Sequence, residues 1–170
     1  VALGLLIFAE DHANAFPSTI SATNSGAMEP MLIGDVVPCF NAITNYTLKK
    51  SIFRCLTDKQ RCDGSPEGLL ARTNLSYFVS LDASETNSPT YTILTGDRHL
   101  TANTKPIGPG LFSLNTNQTV EWSAELHSQN KMPAGGVFSF ADGHAEWVSV
   151  KSLSQVVARQ NMATNRLAVP

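Results

Sequence analysis

Two Asp-x-His units, Asp97-Arg-His99 and Asp142-Gly-His144, together with the intervening His127, hold three of the four histidines in this chain. On an extended strand residues i and i+2 share a face, so each unit can aim a carboxylate and an imidazole at one point. Brought together, Asp97, His99, Asp142 and His144 would hold a divalent metal and define a metal hydrolase. A simpler assignment competes: Asp97 follows a strand and can cap its turn, Asp142 belongs to an Asp-Gly turn, and surface histidines need no ligand. The simpler assignment prevails and no metal is expected. Asp82, Glu85 and Asn87 offer oxygens suited to calcium but lack the acidic alternation and glycine of an EF-hand loop, so they read as a solvated turn. Trp122 and Trp147 lie on strand-like stretches; paired they would make a sugar-binding platform, although a strand tryptophan more often packs in a core.

The familiar catalytic patterns are absent. There is no GxSxG elbow and no HExxH, and Gly108-Pro-Gly110 lacks the third glycine and the preceding strand of a phosphate loop. Cys39, Cys55 and Cys62 do not have the CxxC spacing of a zinc or thioredoxin site. Cys55 and Cys62 can close a small loop in an oxidising compartment, leaving Cys39 as the odd thiol; three reduced thiols are the equal alternative. Asn45, Asn74 and Asn117 begin glycosylation-type triplets, which mean little without a eukaryotic secretory context.

These residues must be positioned by one core, since 170 residues and 18.3 kDa suit a single domain spanning 1–170. The charged fraction of 15% is well below the usual value of about 25%. Ser, Thr and Asn, 16, 15 and 12 in number, supply the polar surface instead, as in many exported β-rich proteins. A net charge of -2 without like-charge blocks excludes a nucleic-acid footprint as the main activity. No apolar run reaches the 18 residues of a membrane span. Eight of the first nine residues are nonetheless apolar, with no basic region before them, which reads as a helix whose natural start lies upstream.

Along the chain, 1–13 reads as the end of a helix stopped at Phe16-Pro17, and a second helix begins near Val37 with Pro38 in its first turn. Ser51–Leu56 reads as a short strand, 57–74 as a long loop, and 76–81 with 91–95 as a hairpin turning near Asn87-Ser-Pro89. Residues 101–118 read as loop, and 119–123 as a strand. The strongest local signal is the hairpin 136–141/144–150 around Asp142-Gly143, expected as a type I′ turn. A helix over 152–160 with Ser152 as N-cap and an apolar tail from Leu167 complete the chain.

Several stretches resemble the prepilin-like proteins of the type II secretion and type IV pilus class: Ile7-Phe-Ala-Glu-Asp-His-Ala-Asn-Ala-Phe-Pro17, Phe53-Arg-Cys-Leu-Thr-Asp58, Ser76-Tyr-Phe-Val-Ser-Leu-Asp-Ala83, Ile93-Leu-Thr-Gly-Asp-Arg98 and Thr164-Asn-Arg-Leu-Ala-Val-Pro170. His127 followed by Asp142-Gly143 is similar to the His-to-Asp-Gly motif of the prepilin processing-associated group, with fourteen intervening residues in place of nine. The resemblance covers nearly the whole chain. It implies a cleaved prepilin signal and an inner-membrane helix upstream of Val1, a periplasmic soluble domain, and an oxidising compartment for Cys55 and Cys62. It implies an α+β pilin-like fold, an N-terminal helix packed on an antiparallel sheet with a short C-terminal helix. The expected role is a structural pseudopilin subunit with no catalytic residues and no cofactor, packed through Leu3, Leu6, Ile7 and Phe8 against copies of itself or other pseudopilins and contacting the secretion machinery. The competing expectation is an extracytoplasmic ligand- or sugar-binding module on the same scaffold, stabilised by calcium.

Overall fold

Alternation of apolar side chains along the strands decides the architecture, because it gives the central sheet two buried faces. A computed structural model describes residues 1–63, 68–84, 90–129, 132–160 and 162–170. The main sheet is antiparallel and six-stranded, in the order β10 (Ala145–Ser149), β9 (Gly135–Phe140), β2 (Ile93–Asp97), β1 (Tyr77–Ser80), β11 (Thr164–Val169), β5 (Gly110–Asn115). In β1, Phe78 and Val79 point to opposite sides, as do Leu167 and Ala168 in β11. One side carries Val79, Leu94 and Ala168 into a core completed by α1 (Ala2–Asp11), α2 (Met28–Leu32) and α3 (Val37–Ala42). The other carries Phe78, Ile93, Phe138 and Leu167 against α4 (Leu153–Arg159) and a small sheet of β4 (Lys105–Pro106), β3 (Leu100–Ala102) and β6 (Val120–Trp122). A short ladder of β7 (Ser128–Gln129) and β8 (Met132–Pro133) follows His127. The protein is therefore mixed α and β with antiparallel sheets.

The expected helices at the start, near Val37 and near 153–159 are all present, and Pro38 stands in the first turn of α3. Ser152 flanks α4, but its hydroxyl faces Ser149 and does not cap the helix. The apolar tail is strand β11, inserted between β1 and β5, so α4 is not the last element. Residues 51–56 do not form a strand: Lys50–Phe53 is a 3-10 turn, and Phe53 is pinned by burial against Phe40, with ring centroids 5.3 Å apart. The stretch 101–118 contains parts of three strands, its prolines tolerated because Pro106 lies on the edge strand β4 and Pro109 outside any strand. The turn near Asn87-Ser-Pro89 lies outside the described residues.

At the β9–β10 hairpin the turn differs in kind from the expected type I′. The Gly143 N–H bonds the Phe140 carbonyl at 3.0 Å and the Phe140 N–H bonds the His144 carbonyl at 2.9 Å, enclosing a three-residue loop. Only Gly143 has positive φ, at 92°, whereas type I′ needs it at both central residues. Its tip rests on α1, since a Cβ on Gly143 would stand 3.2 Å from Leu6.

Helix α1 divides its apolar residues between two environments. Leu5, Phe8 and Ala9 are buried in the domain, with Phe8 stacked on His12 at 3.9 Å and edge-on to Tyr46 at 5.7 Å. Phe8 is thus a core residue and is not available for packing between subunits, and Leu6 is partly covered by the hairpin tip. Leu3 and Ile7, one turn apart, share the side facing away, with Leu3 69% exposed.

Asn165 ties the inserted strand to its surroundings. Its amide nitrogen donates to the Ile93 carbonyl at 3.1 Å and to Gln160 Oε1 at 2.8 Å, while its oxygen accepts from Ser80 at 2.5 Å. Replacing Asn165 with Ala orphans buried partners in β1, β2 and the end of α4. The expected loss is about 3 kcal/mol, from about 1–3 kcal/mol per unsatisfied buried group, readable as a lower urea midpoint with unchanged slope.

Candidate functional site

The segment after Phe53 is held to the sheet by one buried carboxylate. Asp58 accepts two bonds from the Arg98 guanidinium, each at 3.0 Å, one from the Ser76 hydroxyl at 2.9 Å and one from the Gln60 N–H at 3.1 Å. Burial pushes the Asp58 carboxyl up, yet the Arg98 fork, Ser76 and Gln60 together hold it below the ordinary carboxylate value. The Asp58 N–H also bonds the Cys55 carbonyl at 3.0 Å, and Ser76 N–H bonds Phe53 at 2.9 Å. Cys55 is thereby fixed beside the end of β2.

There Cys55, Asp97 and His127 meet, with Sγ, a carboxylate oxygen and a ring nitrogen all within 4.8 Å of one another. His127 Nε2 lies 3.3 Å from Asp97 Oδ2 and 3.6 Å from Cys55 Sγ. Thr57 Oγ1 is 3.0 Å from the same sulfur. Asp97 Oδ2 accepts the Val137 N–H at 2.7 Å, a contact that requires β9 to run close: a Cβ on Gly136 would stand 3.0 Å from that oxygen and 2.6 Å from the Trp122 ring. His127 has positive φ, 44°, in a left-handed conformation uncommon for a side-chain-bearing residue. Its carbonyl accepts the Ala134 N–H at 3.1 Å, and its ring meets the half-exposed Trp147 edge-on at 5.3 Å.

Asp97 is 1% exposed, and burial raises its carboxyl above the ordinary value against the opposing pull of the Val137 N–H and His127. His99 is also buried, its ring 5.0 Å from that of Trp122 and 5.9 Å from that of His127. Burial pushes its pKa down to about 3, with the His127 and Arg98 charges acting in the same direction. The three converging donors line a cavity of about 250 Å³ that also includes Tyr77, Thr95 and Ser139. A single ring nitrogen faces both the thiol and the carboxylate. A cysteine nucleophile with a His base and an orienting acid needs the two ring nitrogens to face different partners, so this arrangement is not a catalytic triad.

The two Asp-x-His units do not converge. Asp142 and His144 sit together at the hairpin tip, Oδ1 and Nδ1 2.5 Å apart, with His144 stacked on Phe140 at 4.3 Å. Four residues of strand, about 13 Å, separate that tip from Val137 beside Asp97. The hydrolase set Asp97, His99, Asp142 and His144 is therefore not assembled, and His127 is likewise separated from Asp142 and Gly143 in the family-like motif. Asp82 is gripped by Arg166, with contacts at 2.5 Å and 3.0 Å, so it is not free for calcium; Glu85 and Asn87 lie outside the described residues. Trp122 is buried, which leaves Trp147 without a platform partner. Asn74 is buried too and bonds the Cys62 carbonyl at 3.2 Å, so it is not placed to accept a glycan.

The Cys55–Cys62 pairing is not made. Cys55 Sγ faces Thr57 and His127, whereas exposed Cys62 faces the Thr73 carbonyl and Asn74, and all three cysteines are free thiols. The physical reason is the Asp58 clamp together with the bond from Cys62 N–H to Thr73 at 2.9 Å, which hold the two ends of the loop to different neighbours. The convergence of Cys55 with Asp97 and His127 is not legible in the sequence because those partners lie 42 and 72 residues away. Comparison with protein-family models, with curated proteins and with solved structures finds no match.

Asp58→Ala leaves the Arg98 charge, itself 10% exposed, beside an empty carboxylate position. The expected cost is about 3 kcal/mol in denaturant unfolding. Because the folded carboxyl titrates below its unfolded value of about 3.9, its stabilisation is complete above that pH and fades as pH falls through the lower folded value. Asp58→Asn therefore removes part of the stability loss of the protein on acidification below about pH 4, measurable by thermal melts at falling pH.

Proposed function

We propose that this chain is a pseudopilin-like structural subunit of a type II secretion or type IV pilus-like periplasmic filament. On this reading it is anchored in the inner membrane by a helix preceding Val1, is bacterial, and catalyses no reaction. The observation that carries the reading is α1. Residues 2–9 present no polar side chain on any face, which is the pattern of a helix covered all round, yet the domain buries Gly4, Leu5, Phe8 and Ala9, covers Leu6 in part and leaves Leu3 exposed. The stripe of Leu3 and Ile7 is suited to the same helix of a neighbouring subunit. No described helix is long and apolar enough to cross a membrane, so the anchor of this proposal lies outside these 170 residues.

The second reading is a ligand- or sugar-binding module on the same scaffold. It rests on Trp147, 52% exposed on the outer strand of the main sheet. The calcium part of that reading loses Asp82 to Arg166.

A photo-crosslinking side chain at Leu3 in the full-length protein, with its natural upstream segment, gives a ladder of self-adducts or adducts to other pseudopilins in the host envelope. The same probe at exposed Glu121 gives none. With the probe moved to Ile7 of the same stripe, Leu3→Lys abolishes the ladder while changing the stability of the domain by no more than about 0.5 kcal/mol, as surface substitutions do. Absence of adducts at Leu3 returns the binding-module reading to the front.

A further inference from the structure

We propose that Cys55, Asp97 and His127 form a tetrahedral binding site for a borderline-soft divalent metal ion, zinc above all, that staples three distant segments of the chain. The distances carry the argument. With metal–sulfur bonds of about 2.3 Å and metal–nitrogen and metal–oxygen bonds of about 2.0–2.2 Å, neighbouring ligand atoms on a tetrahedron stand about 3.6 Å apart for sulfur and nitrogen and about 3.4 Å for nitrogen and oxygen. Here the corresponding separations are 3.6 Å and 3.3 Å. Hydrogen bonding accounts for them less well. A single Nε2 proton shared between the thiol and the carboxylate makes two weak bonds, and 3.3 Å is long for a contact between an imidazole and a carboxylate.

The surroundings are those of oriented ligands. The Val137 N–H holds Asp97, the Thr57 hydroxyl sits on the Cys55 sulfur, and the left-handed backbone at His127 turns its ring inward. Asp97 is almost wholly buried with no Lys or Arg ion pair among the described residues, and a divalent cation supplies the missing positive charge. A thiolate, an imidazole and one carboxylate favour zinc-like ions over calcium or magnesium, which prefer all-oxygen sets. On binding, the Cys55 thiol gives up its proton to solvent, and the His127 ring keeps its proton on Nδ1 so that the Nε2 lone pair faces the metal. A cavity of about 250 Å³ has ample room for a water in the fourth position.

The test uses the whole chain under reducing conditions, stripped with a chelator and titrated with zinc or cobalt(II) alone. The expected result is one ion per chain, a cobalt form with thiolate charge-transfer absorption, slower alkylation of Cys55 with zinc while Cys62 keeps its reactivity, and a higher melting temperature with metal. Cys55→Ser removes the charge-transfer band. Thr57→Val, isosteric and at an exposed position, leaves the fold intact and weakens binding by about tenfold or more. A cobalt spectrum without thiolate absorption, Cys55 alkylation unchanged by zinc, or binding retained in Cys55→Ser and lost in Cys62→Ser would each overturn the proposal. None of these readouts depends on filament assembly.

Discussion

The buried Asp58–Arg98 pair is the constraint from which the rest of the site follows. Arg98 and Asp97 are consecutive at the end of β2, so committing one side chain to Asp58 directs the other toward β9 and His127. The same carboxylate holds the 54–62 segment, otherwise without regular structure, against β1 through Ser76. A buried charge is costly unless every lone pair is engaged, and Asp58 meets that condition with four donors. Position and charge compensation are thus one device: the pair that neutralises Asp58 also sets Cys55 beside Asp97.

Strand β11 imposes the second constraint. It enters the sheet between β1 and β5 and contributes to both cores, so the sheet is not complete until residues 164–169 have paired. Pairing β11 with β1 joins residues more than eighty positions apart, as in Val79 with Ala168. Such non-local contacts carry loop-closure entropy before they yield stability, which marks this fold as slow to form relative to its size. The polar hub at Asn165 fits that situation. A short apolar strand such as Leu167–Val169 can slip in register, and a buried amide with three specified partners penalises every register but one.

The elements visible in the sequence were those whose information is local. Pro38 at the start of α3, the apolar run of α1 stopped at Phe16-Pro17, and Asp142-Gly143 between two alternating runs each declare themselves within a few residues. Even there the turn subtype escaped, because Asp-Gly serves a three-residue loop with one positive φ as well as type I′ with two. What the sequence hid was set by distant partners. The tail at 164–169 is too short to separate a strand from an apolar terminus without knowing that β1 and β5 leave a gap for it. Segment 101–118 carries two prolines that argue against strands, and only the edge position of β4 makes Pro106 acceptable. Phe53 has strand-like neighbours yet is held by Phe40, a contact no period reveals.

The chemistry shows the same limit more sharply. Counting ligand-type residues by sequence proximity favoured Asp97 with His99 and Asp142 with His144, because i and i+2 share a strand face. The structure instead joins Asp97 to residues 42 positions before it and 30 after it, while His99 turns to Trp122 and His144 returns to its own Asp142. Short-range spacing identifies metal sites only when the ligands sit on one element, as in the CxxC or HExxH patterns. When each ligand comes from a different segment, the information lies in what holds those segments together. In this chain that is the Asp58 clamp, the close approach of β9 permitted by Gly136, and the strained turn at His127. Each of the three would be unremarkable alone; their common consequence is that sulfur, oxygen and nitrogen converge at one corner of the sheet.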